Sequence, residues 1–105
     1  PTFGQWEAAT LDSRDYRALY IPEGLGHAFL ALEDDTAMTY FCSTSYNPAG
    51  ERGITPMDAA LRLPWPSDID PILSEKDTKA PTLAEAEAAG LLPSYEACLA
   101  HYATL

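Results

Sequence analysis

Six side chains in this sequence have the chemistry to hold or move a proton, or to grip a polar ligand: His27, Tyr40, Tyr46, Glu51, Lys76 and Asp77. Imidazole, carboxylate and phenol are general acid–base groups, and lysine supplies a point charge for phosphate or sugar oxygens. Tyr40 and Tyr46 stand an even number of positions apart. On a regular strand they face one side, together with Cys42 and Thr44. Each residue also has a plainer reading. His27 opens an apolar run and fits a satisfied core histidine. The tyrosines fit sheet residues with a wet hydroxyl. Glu51 with Arg52, and Lys76 with Asp77, fit solvated surface charges.

Other chemistries lack their residues. Only two histidines (His27, His101) and two cysteines (Cys42, Cys98) occur, with no CxxC or HxH spacing, so a metal centre has too few ligands. Gly24-Leu25-Gly26 is too short for a phosphate-binding loop, and no GxSxG nucleophile elbow is present. No cofactor is expected. The net charge of -10 excludes a phosphate-gripping surface for nucleic acid and disfavours an anionic membrane. No apolar run is long enough to span a bilayer. Without a secretory feature, the cysteines are expected to be reduced and the chain cytoplasmic.

These side chains need elements to place them. The 105 residues suffice for a single domain. Residues 1–46 read as strands. Ala18–Ile21 is stopped by Pro22-Glu23-Gly24, His27–Leu32 ends at Asp34-Asp35, and Ala37–Tyr46 is rich in aromatics. Residues 47–81 hold most of the prolines and read as a long ordered connection. Residues 82–105 read as helical. Thr82 and Glu85 form a capping-box pattern, Gly90 is a natural stop, and Ser94 caps a last helix running to about Ala103.

Taken in order, several motifs resemble the dTDP-4-dehydrorhamnose 3,5-epimerase family. They are Leu19-Tyr20-Ile21-Pro22-Glu23-Gly24 with Gly26-His27-Ala28-Phe29, Tyr46-Asn47-Pro48 with Glu51-Arg52-Gly53-Ile54, and Ile72-Leu73-Ser74-Glu75-Lys76-Asp77. The opening Pro1–Trp6 and the Gly90-Leu91-Leu92-Pro93 stretch before an aromatic helix also look like family members. The resemblance implies a mainly β fold, a cupin-type jelly-roll β-sandwich (partial here) with C-terminal helices, in a homodimer. It implies an isomerase that inverts C3 and/or C5 of a dTDP-4-keto-6-deoxyhexose by proton abstraction and return, without cofactor.

By the same resemblance, Tyr40 corresponds to the proton donor and Asp77 to the carboxylate that orients the catalytic histidine. Tyr46 corresponds to the ring that stacks on thymine. His27, Glu51 and Lys76 correspond to substrate contacts. The family's base histidine lies in an N-terminal half that this sequence does not match, and neither His27 nor His101 takes its place. The expected molecule is therefore the C-terminal part of an epimerase, completed by a longer chain or a separate N-terminal polypeptide. The alternatives are a non-catalytic dTDP-sugar-binding module and an inactive fragment lacking the base.

Overall fold

Local signals build the helices. In a computed structural model describing residues 1–105, α1 spans Glu75–Thr78, α2 spans Leu83–Ala88 and α3 spans Tyr95–Tyr102. Each begins at a hydroxyl that accepts an otherwise orphaned backbone N–H: Ser74 from Asp77, Thr82 from Glu85 and Ser94 from Ala97. At α2 the Glu85 carboxylate also accepts the Thr82 N–H at 2.8 Å, completing a capping box. The other end of α2 closes as a Schellman motif. Leu91 N–H reaches Ala86 O and Gly90 N–H reaches Glu87 O, both at 3.0 Å. Gly90 takes φ +68°, a conformation costly for a side chain. Helix α1 falls within the proline-rich stretch that reads as connection in the sequence.

Long-range bonds gather the chain around α2. Thr55 N–H donates to Pro81 O at 2.8 Å. The Asp58 carboxylate accepts the Leu83 N–H at 2.9 Å, at the first turn of α2. Trp65 Nε1 donates to Pro56 O, and Trp6 Nε1 donates across 55 positions to Leu61 O, both at 2.7 Å. Ile54, Leu61, Leu63, Trp65, Ile69, Leu73, Leu83 and Leu92 are half-buried in this region. Ala86, at 1% exposure, is the one fully buried residue of the molecule.

The jelly-roll expectation does not hold. The structure contains no strand, and its regular elements are three α-helices and a 3₁₀ turn at Pro48–Gly50. The reason is physical. A strand is stabilised by a ladder to a neighbour some 4.8 Å away, and the apolar runs of residues 1–46 find no such neighbour. Backbone–backbone bonds there only close turns, from Gln5 to Thr2 and from Leu25 to Pro22. Over the whole chain 26 backbone–backbone hydrogen bonds form, where a folded domain of this length has about 70.

The packing is correspondingly open. Accessible surface is 9260 Å², against about 5,800 Å² for a compact protein of this mass. The radius of gyration is 15.1 Å, against about 13 Å. Both cysteines are free thiols. No helix is long and apolar enough to cross a membrane.

Candidate functional site

A cavity of about 520 Å³ is lined by His27, Tyr40, Cys42, Thr44, Ser45, Tyr46, Glu51 and Lys76. Its wall comes from three separate stretches of sequence. His27 arrives just after the Pro22–Gly24 turn. Tyr40, Cys42 and Thr44 to Tyr46 come from one stretch that leads into the 3₁₀ turn, and Glu51 follows that turn. Lys76 enters from α1, whose first turn is fixed by the Ser74 cap.

Five of the six residues singled out by chemistry thus meet in one place. Asp77 does not line this cavity. On a helix, consecutive side chains point about 100° apart, so α1 cannot aim Lys76 and Asp77 in the same direction. Tyr40, Cys42, Thr44 and Tyr46 do share the wall, although no strand holds them there. Ser45 joins them against their even spacing. The chain bends at Ser43 and Thr44, which resets the facing of the residues after it. Nothing in the residue pattern announces that bend, and Ser45 is the lining residue that sequence reasoning missed.

The geometry is that of an open, polar cleft. The rings of His27 and Tyr40 meet edge-on, 6.5 Å between centroids and 63° between planes. Tyr40 and Tyr46 are 67% and 78% exposed, so both phenols are reachable by a ligand. Lys76 Nζ stands 3.9 Å from a Glu51 carboxylate oxygen. The pair is solvated and contributes little to stability. It does govern charge, because an anion entering beside Lys76 meets one ammonium already partnered by a carboxylate. Such a site can stack a flat ring on Tyr46, place a neutral phenol beside it, and bond polar oxygens through Thr44, Ser45 and Lys76. No three His, Cys, Asp or Glu side chains converge as a metal-holding group.

A second cluster lies outside the cavity. The Tyr102 hydroxyl donates to the Glu23 carbonyl, and His101 Nε2 is 3.9 Å from a Glu23 carboxylate oxygen. Glu23 is held below the ordinary carboxyl range by a hydrogen bond from its own backbone, then by the Ser43 side chain, with a smaller pull from His101. Loss of hydration pushes the Tyr102 phenol up, with Cys98, Glu23 and Tyr20 adding to the effect.

Comparison with known proteins bears on this arrangement. The dTDP-4-dehydrorhamnose 3,5-epimerase of Mycolicibacterium smegmatis is 51% identical over 105 residues, all of this chain and 51% of the relative. A dTDP-4-dehydro-6-deoxyglucose 3-epimerase of Streptomyces bikiniensis is 50% identical over 97 residues, 92% of this chain and 50% of the relative. A dTDP-4-dehydrorhamnose 3,5-epimerase of Streptomyces griseus is 50% identical over 100 residues, 95% of this chain and 50% of the relative. The chain therefore spans about half the length of the curated relatives it matches. No solved structure matches it. The family described as dTDP-4-dehydrorhamnose 3,5-epimerase matches residues 1–85, which include every residue of the cavity wall. On that match, and on identities near one half, the chain belongs to the dTDP-4-dehydrorhamnose 3,5-epimerase family.

Proposed function

We propose that this chain forms the acid and substrate-gripping side of an epimerase for dTDP-4-keto-6-deoxyhexoses. One observation carries the reading: His27, Tyr40, Tyr46, Glu51 and Lys76 converge on one cavity in a chain of this family. The 4-keto group acidifies hydrogens on the neighbouring carbons. A base removes one as a proton, leaving an enolate, and an acid returns a proton to the opposite face. Tyr40 is the acid. Its phenol hydroxyl lines the cleft and can hand a proton to a neighbouring carbon. Tyr46 stacks on the thymine, Lys76 grips phosphate or sugar oxygen, and His27 and Glu51 contact the substrate.

The base is not assigned to His27 or His101. It comes from polypeptide outside these 105 residues, where Asp77 orients it. The same polypeptide, or a second copy of the chain in a homodimer, covers the exposed apolar side chains of residues 1–46. One chain has about 3,500 Å² of accessible surface beyond that of a compact chain, more than the roughly 1,000–2,500 Å² that each partner gives to an obligate interface. Binding without catalysis is the second reading. It is favoured by the placement of the one imidazole–carboxylate contact, His101 with Glu23, away from the cavity.

The test is incubation with dTDP-4-keto-6-deoxyglucose in D₂O, with and without a co-expressed polypeptide matching the relatives' other half. Deuterium at C3 and C5 is read by NMR. The expected result is exchange at one or both carbons in the combined material. Tyr40→Phe then lowers epimerisation by about 10²–10⁴-fold while thymidine diphosphate binding survives. Binding without exchange would establish the second reading, and unchanged turnover in Tyr40→Phe would remove the role given to that phenol.

A further inference from the structure

Helix α3 turns one face toward the Pro22–Gly24 turn. Cys98, His101 and Tyr102 are spaced i, i+3 and i+4, so they lie along one stripe. All three meet that turn. Tyr102 donates to the Glu23 carbonyl across 79 positions, and His101 stands 3.9 Å from the Glu23 carboxylate. Gly24 takes φ +93°, and a Cβ there would run into Cys98 Sγ and Cβ. Pro22 and Glu23 are half-buried, and Leu30 is the only other residue of 1–46 that escapes full exposure. The turn is where α3 holds the open N-terminal region, as Trp6 is held at Leu61.

Two routes lead from this pin to the cavity. His27 follows Gly24 by three residues, so fixing the turn fixes the approach of His27 by covalent continuity. Ser43, which helps hold Glu23 below the ordinary carboxyl range, sits between the wall residues Cys42 and Thr44. No residue of α3 lines the cavity. A cleft walled by backbone without a ladder needs an anchor elsewhere, and α3 supplies one.

We propose that Glu23 is a positioning residue: held by His101 and Tyr102, it fixes the turn that delivers His27 and steadies the Cys42–Thr44 wall. Its effect on the site rests on the reading of His27 as a substrate contact.

The chain has only two histidines, so its imidazole NMR signals can be assigned by His27→Asn and His101→Asn. The probes are Glu23→Gln, which removes the charge and keeps the carbonyl acceptor, and Tyr102→Phe, which removes the hydroxyl and keeps the ring. Far-UV circular dichroism reports whether α2 and α3 persist. In both variants the His27 signal is expected to shift and broaden, thiol labelling of Cys98 to rise severalfold, and the Kd for thymidine diphosphate to rise severalfold. An unchanged His27 signal alongside faster Cys98 labelling would overturn the proposal, because the helix would then detach without disturbing the site. Unchanged Cys98 labelling in both variants would overturn the pin itself. A wild-type chain that does not bind thymidine diphosphate overturns the functional reading alone, and the His27 and Cys98 readouts still decide the role of Glu23.

Discussion

Residues 54–92 and residues 1–46 are built from similar apolar content and reach opposite outcomes. In the first region, side chains and backbone find partners at a distance: Asp58 caps α2, Trp65 reaches Pro56, Thr55 reaches Pro81, and Ala86 is sealed. In the second, Leu19, Phe29, Leu32 and Phe41 remain exposed and the backbone closes only turns. The difference lies in the kind of structure each stretch encodes. A helix satisfies its own backbone within four residues, so a short capped sequence assembles alone. A strand satisfies nothing until another strand lies beside it.

Substitutions can break that contrast. Trp65→Ala should have the largest effect, removing about 2 kcal/mol of burial and one hydrogen bond, and should lower the urea midpoint followed by far-UV circular dichroism. A midpoint unchanged by this loss would mean that residues 54–92 are not the stable part. Thr82→Ala comes next, at about 1 kcal/mol, because it opens the capping box of α2. Thr82→Ser, which keeps the hydroxyl, should recover most of that loss.

The pH dependence sharpens the contrast at the turn where α3 meets residues 1–46. Glu23 is depressed from its ordinary 4.5, so its contribution is complete above that value and disappears as the pH falls through the lower folded value. Tyr102 is raised from its ordinary 10.0, so its contribution is complete below that value and disappears as the pH rises through the higher folded value. Attachment of α3 should therefore be firmest between the two. The titratable groups that face this contact are His101, Cys98 and Tyr20. Tyr102 ring resonances recorded from acid to alkali should show loosening at both ends. Loosening in mid-range would indicate that another group controls the contact. The smallest effect belongs to Phe41→Ser. Phe41 is 97% exposed, and the change should stay within about 0.5 kcal/mol. A large loss would mean that this ring is covered in solution.

What could be read from the residues follows the same divide. Thr82, Glu85, Gly90 and Ser94 act on backbone groups within a few positions, so their roles are legible in the sequence. The strands assigned to 1–46 were not secured by apolar runs, because a run states a preference and a ladder requires a neighbour. Within the site, Tyr40, Cys42, Thr44 and Tyr46 meet as their spacing on a strand would have them, but without the strand. The bend that admits Ser45 and the helical turn that separates Asp77 from Lys76 were not legible. In the sequence Glu23 reads only as part of a turn, since the groups that give it further meaning lie in α3.

The exposed face of residues 1–46 also bears on how the molecule behaves in company. Two such faces meeting would gain from excluding water, yet each chain carries a net charge of -10. At low ionic strength this mutual repulsion reaches well beyond contact distance and opposes self-association. Near 1 M salt the Debye length shrinks to about 3 Å, and the apolar surfaces are left to decide. The acidity of the chain thus works against contact between its own exposed apolar surfaces at low ionic strength, and salt removes that opposition.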